Sequence, residues 1–150
     1  MTPIRKGYAY ITRGDKLLVF RHQDYPEAGI QVPGGTIEDP ETPEQGTLRE
    51  ATEETNLVGL RVKRFLGDVL WDPNQYHQVN SSTYPINHRH FFHLAYDGDT
   101  PMEWLAGEEN PSDGTMKKVF ICYWVKLDDI PKIIADQGAF LPQLLQSFAL

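Results

Sequence analysis

The chain is expected to fold as an α/β sandwich built on a mixed β-sheet, and three observations predict it. Short β-prone apolar runs alternate with segments of helical character along the whole length. MKKVFICYWVKL and HRHFFHLAYDGD carry the aromatic and β-branched residues of strands, whereas TPEQGTLREATEETN carries helix signals at both ends. No internal repeat, low-complexity tract or dividing linker interrupts the pattern. Residues 1–150 are therefore read as one domain, large enough to bury a core without staples.

In chain order, GYAYITRG and DKLLVFRHQ form two strands joined at Gly14-Asp15, a hairpin signal. GIQVPGG is a short strand ending in the Gly34-Gly35 pair. The helix that follows is capped by Thr42, with Pro43 at its first position and Gln45 completing a capping box. It ends near Thr55–Asn56, asparagine being tolerant of a left-handed stop. LRVKRFLGDVLWD reads as a strand or bent strand, and TPMEWLAGEENPSDGTM as a long polar loop. DDIPKIIADQ and AFLPQLLQSFAL read as two C-terminal helices, the second starting near Gly138; its FLPQLLQSF stripe suits core packing or a homodimer contact.

Composition narrows the function. Apolar residues make up 40% and charged residues 23%, as in ordinary soluble domains. A net charge of −7 repels a nucleic-acid backbone, which disfavours duplex binding. No apolar run approaches a transmembrane length, and MTPIRKGYAY lacks the apolar stretch of a secretory signal. Cys122 is the single cysteine and lies in the apolar run VFICYWV, so a buried thiol in a reducing, cytoplasmic setting is expected.

Residues 33–57, PGGTIEDPETPEQGTLREATEETNL, crowd six glutamates and one aspartate around a single arginine. At 100° per residue, Glu50, Glu53 and Glu54 share one helix face, while Leu48, Ala51, Thr52 and Thr55 share the other. A solvated acidic face is the ordinary reading of such a helix. Against it, two carboxylates ~5 Å apart repel by about 3 kcal/mol at an effective dielectric of ~20. Arg49 reaches Glu53 at i+4, but one arginine cannot balance three glutamates. A divalent cation can, and carboxylate oxygens suit Mg²⁺ or Mn²⁺. With no His or Cys in the helix, Zn²⁺ is disfavoured there. The glycine pair allows close backbone approach, so loop and helix together make a pocket of oxygen donors able to clamp a diphosphate and activate water.

The spacing Gly35-x5-Glu41-x7-Arg49-Glu50-Ala51-x-Glu53-Glu54-x-Asn56-Leu57 resembles the signature of the Nudix hydrolases, departing only at Asn56, where the family has glycine. The resemblance implies an α/β/α sandwich over the full chain. It also implies metal-dependent hydrolysis of a phosphoanhydride in a nucleoside diphosphate linked to another moiety: a nucleotide sugar, ADP-ribose, a nucleoside triphosphate or a dinucleoside polyphosphate. Glu50, Glu53 and Glu54 would bind Mg²⁺ or Mn²⁺ with the Gly34 carbonyl, and the first of them serves as base in some members. Arg49 would orient the carboxylates, Glu41 would hold the loop-helix geometry, and Glu38 would contribute indirectly. A catalytically silent nucleotide sensor of the same fold is the alternative, and an acidic interaction domain a third reading.

Outside the signature, relatives often place an acid shortly before the last strand, where this chain has Lys117-Lys118. Glu108 and Glu109 are the substitutes, each equally an ordinary loop charge. Along HRHFFHL, His88, His90, Phe92 and Leu94 share one side, and Arg89, Phe91 and His93 the other. Arg89, His90, Arg21 and His22 are candidate phosphate contacts; an HxH metal pair is a weaker reading than core packing. Trp71, Tyr76 and Trp104 are candidates to stack on a base, though packing roles are commoner. Pro73 and Tyr76 hint at ADP-ribose and dinucleoside polyphosphate substrates respectively, in conflict with each other.

Overall fold

A computed structural model describes residues 2–79, 83–107 and 118–148. Among these residues seven strands are formed: β1 (Ile4–Arg13), β2 (Lys16–His22), β3 (Gly34–Thr36), β4 (Arg61–Trp71), β5 (Asn87–Ala95), β6 (Glu103–Ala106) and β7 (Phe120–Lys126). They build one sheet in the order β4-β5-β1-β2-β7-β6, with β3 also paired to β1. The β1–β5 pair is parallel and the others antiparallel, so the sheet is mixed, as expected. Helices are α1 (Pro43–Thr55), α2 (Pro73–Tyr76) and α3 (Leu141–Gln146).

Strand alternation makes two cores, one on each sheet face. Ala9, Ile11, Leu18, Phe20, Phe92, Leu94, Phe120 and Cys122 pack with Ala51 of α1. Tyr8, Tyr10, Leu17, Val19 and Phe91 pack with Leu144 of α3 on the opposite side. The C-terminal stripe thus joins the core: Leu141, Leu145 and Phe148 all lie against this second cluster. Cys122 is fully buried, and burial pushes its thiol up to about 12.

Several elements depart from expectation. GIQVPGG is not a strand ending at the glycine pair; β3 begins there, and upstream only Gln31 bridges to Phe20. Within the segment expected to be a polar loop, Glu103–Ala106 forms β6 against β7. DDIPKIIADQ is not helical, because Pro131 disfavours helical backbone at Ile130 and both Ala135 and Asp136 take positive φ. That stretch is held by tertiary bonds instead: Tyr10 Oη donates to the Gln137 carbonyl (2.7 Å), and Val32 N–H donates to Gln137 Oε1 (3.0 Å). Helix α3 begins at Leu141, after the turn at Gly138. β4 is bent, with register shifts at Val62/Arg64 and Phe65/Gly67.

β2 pairs with β1 only at Thr12 and Arg13, beyond the hairpin at Gly14-Asp15. Further back, β3 takes over the same edge of β1, pairing at Lys6, Gly7 and Tyr8. Helix α1 lies over this region so closely that a Cβ on Gly7 would collide with Thr47 Oγ1. Gly7→Ala is therefore expected to lower unfolding stability by about 1–3 kcal/mol in a denaturant titration, through displacement of α1.

Candidate active site

The capping box forms as the sequence predicts: Gln45 N–H donates to Thr42 Oγ1, and Thr42 N–H donates to Gln45 Oε1. Asn56 closes the helix in the left-handed conformation (φ 61°), the geometry for which its position ordinarily holds glycine. With both ends fixed, Gly46, Thr47, Ala51 and Thr55 are buried, and the glutamate face turns toward β3.

Arg49 organises that face. Its Nε donates to Glu41 Oε2 (2.7 Å) and one terminal nitrogen to Glu41 Oε1 (3.0 Å), a two-pronged grip. That same nitrogen donates to the Thr36 carbonyl (3.0 Å), while the other donates to Glu50 (3.0 Å) and Glu53 (3.4 Å). The guanidinium thus ties the loop after β3 to two glutamates of α1. Its hydrogen bonds, together with one from the Glu38 N–H, hold the Glu41 carboxyl down at about 2. Glu50 moves the other way: burial raises it above the usual carboxylate range against the opposing pull of Arg49.

Glu54 reaches back to the start of β3, where Oε1 accepts the Gly34 N–H at 2.6 Å. Desolvation raises its pKa to about 8, the Gly34 bond opposing and the neighbouring Glu50 adding. Gly35 leaves room for the Glu50 carboxylate, which a Cβ there would strike. Glu50, Glu53 and Glu54 line one cleft of about 350 Å³ with Gly34, Gly35, Thr36 and Glu38.

Lys6, Lys118 and Phe120 complete the lining. Sequence reasoning missed Lys6, because nothing local marks it; the β1–β3 register sets it opposite Thr36, whose hydroxyl accepts from Nζ at 2.9 Å. Burial lowers the Lys6 pKa. Lys118 was legible only as the base standing where relatives carry an acid. Among the described residues, the cleft therefore has a carboxylate wall and two lysines.

Other expected residues lie elsewhere. Arg21 stacks on Tyr123 (5.2 Å), and Arg89 on Trp71 (3.6 Å) while donating to the Ala135 carbonyl; neither lines the carboxylate cleft. Strand parity explains this, since both share the face of Val19 and Phe91, away from α1. Arg89 and Trp71 instead line a separate hollow with Asp136 and Ile133. His90 sits beside His88 and Phe65, outside the cleft. His22 packs on Phe120, which does line it. Trp104 donates to the Thr55 carbonyl and packs on the core, whereas Tyr76 stays exposed beside Trp71. Glu108 and Glu109 lie outside the described residues.

The family model of the NUDIX domain matches residues 5–144. The chain belongs to the Nudix hydrolase family. Its fold is shared with solved Nudix structures. A UDP-X diphosphatase is 22% identical with a TM-score of 0.65, the match covering 99% of this chain and 65% of that one. An ADP-ribose pyrophosphatase from Streptococcus suis is 20% identical with a TM-score of 0.62, covering 99% of this chain and 94% of the other. An Ap4A hydrolase from C. elegans is 17% identical with a TM-score of 0.63, covering 99% and 100% respectively. At these identities the likeness is one of fold, and no curated protein matches the sequence. No helix among the described residues is long and apolar enough to cross a membrane.

The Nudix glutamates make a pH prediction. The Glu54 carboxyl is raised from 4.5 to about 8, so the unfolded chain loses this proton first as pH rises. Relative to a Glu54→Gln variant, the metal-free protein should lose stability between pH 4.5 and 8. A divalent cation held by Glu54 would require the ionised carboxylate, so binding of Mg²⁺ there at pH 7 would release close to one proton. Calorimetry in buffers of differing ionisation enthalpy reads this release directly.

Proposed function

We propose that the chain hydrolyses a phosphoanhydride bond in a nucleoside diphosphate linked to a further group, with Mg²⁺ or Mn²⁺ bound at Glu50, Glu53, Glu54 and the Gly34 carbonyl. The observation that carries this reading is the convergence of three box glutamates in one cleft, two of them, Glu50 and Glu53, cross-tied by Arg49. The donor set fits a hard divalent cation: it is all oxygen, it exceeds the charge of its one arginine, and two of its acids sit above their normal range. Such an ion supplies charge neutralisation for the diphosphate and a more acidic bound water.

The protein's own part is to hold and to receive. Arg49 keeps Glu50 and Glu53 side by side, and the Gly34 N–H fixes the rotamer of Glu54. Lys6 and Lys118 present ammonium groups toward a diphosphate entering the same cleft. Glu50, partly buried and lining the cleft, is placed to take a proton from the attacking water. Placing the base within the box makes an acid at Glu108 or Glu109 unnecessary for this step. The likeness to a UDP-X diphosphatase, an ADP-ribose pyrophosphatase and an Ap4A hydrolase supports the nucleotide class. The reading takes residues 1–150 as one domain. The −7 charge favours a free nucleotide over a duplex, and the buried Cys122 suits a cytoplasmic enzyme.

A panel of nucleoside diphosphate derivatives, assayed with Mg²⁺ or Mn²⁺ and coupled phosphatase, tests the proposal. At least one derivative should be turned over, and Glu53→Gln and Glu54→Gln should each lower kcat by about 100-fold or more. Full activity in either variant, or no turnover of any derivative, contradicts the assigned roles.

A further inference from the structure

Away from the carboxylate cleft, β4 and β5 bring a different set of ligands together. His88 and His90 are two residues apart on β5 and share one face, their rings 4.2 Å apart. Asp68 of β4 stands opposite His90 in the antiparallel register, and its Oδ2 lies 2.6 Å from His88 Nε2. One ligand atom from each of the three lies within 4.8 Å of the others.

His90 carries the argument beyond an Asp–His pair. It is only 8% exposed, and its Nε2 has no hydrogen-bond partner among the described residues. A buried polar nitrogen left without a partner keeps its desolvation cost uncompensated. His88 and Asp68 are more open, at 34% and 48% side-chain exposure, so solvent and ions reach the cluster from their side. Arg5, paired with His88 across β1 and β5, is the nearby cation, and its charge is already engaged by Asp39 at 2.9 Å and the Glu41 carbonyl.

We propose that Asp68, His88 and His90 form a binding site for a divalent transition-metal ion of the Zn²⁺ class, separate from the glutamate cleft. Two imidazoles and one carboxylate, with a coordination position left for water, form a donor set suited to Zn²⁺ and poorly suited to Mg²⁺. Metal–nitrogen bonds of ~2.0–2.1 Å in tetrahedral geometry place neighbouring ligand atoms about 3.3 Å apart. The Asp68–His88 contact must then open by about 0.7 Å, a movement available to an exposed carboxylate. Such an ion bridges β4 to β5 next to the register shift at Phe65/Gly67, clamping the sheet where its ladder is irregular.

Co²⁺ tests the site, because its visible absorption reports imidazole-containing, low-coordinate geometry and its measurement needs no turnover. The titration uses a Glu53→Gln, Glu54→Gln protein, and in parallel the wild type in excess Mg²⁺, so that the glutamate cleft does not contribute. One equivalent of Co²⁺ should give intense visible bands that Zn²⁺ displaces. Adding Asp68→Asn or His88→Gln, at partly exposed positions where circular dichroism can verify folding, should weaken binding by roughly 10-fold or more. Absence of bands at one equivalent, or bands unchanged in both variants, overturns the site and leaves an Asp68–His88 hydrogen bond only. Neither outcome bears on turnover at the Nudix glutamates.

Discussion

Everything at the cleft depends on how a single turn of helix tolerates its own negative charge. Glu50, Glu53 and Glu54 project from one face of α1, and among the described residues Arg49 is the guanidinium that meets two of them, Glu50 and Glu53. Arg49 divides itself among Glu41, Glu50, Glu53 and the Thr36 carbonyl, so it aligns the carboxylates without neutralising them. Glu50 and Glu54 are both pushed above their ordinary range, chiefly by burial, with Glu53 adding at Glu50 and both Glu50 and Glu53 adding at Glu54. A small cation of double charge would relieve such a set of carboxylates.

The sheet exists in its particular form to hold that turn against a loop. β1 is shared: near its end it pairs with β2, and near its start with β3. The exchange of partners sets the Gly34 N–H in front of Glu54 and Lys6 beside Thr36. Gly7 and Gly35 are then required by proximity, the first beneath Thr47 and the second beside Glu50. Backbone pairing and side-chain charge are therefore one design, in which a shift of β3 along β1 would dismantle the carboxylate cleft.

Local chemistry was legible in the sequence wherever a few neighbouring residues decide the outcome. The capping box at Thr42 and Gln45, the left-handed stop at Asn56 and the common face of the three glutamates all follow from spacing alone. β6 was hidden because Glu103–Ala106 is short and owes its existence to pairing with distant β7. Ile130, Ile133 and Ile134 imitate a helical stripe, yet Gln137 and Tyr10 pin the segment in turns. Lys6 was invisible for the same reason as β6, since its role depends on register. Arg21 and Arg89 read as phosphate contacts in one dimension, and strand parity sets them on the sheet face away from α1, against the rings of Tyr123 and Trp71.

The central claim is that Glu50, Glu53 and Glu54 jointly bind a divalent cation. Crystals soaked in Mn²⁺ and measured for anomalous scattering address it most directly. A peak bounded by these three carboxylates beside Gly34 is the predicted result. A map with no anomalous density between them, at Mn²⁺ concentrations that saturate carboxylate sites elsewhere, would contradict it.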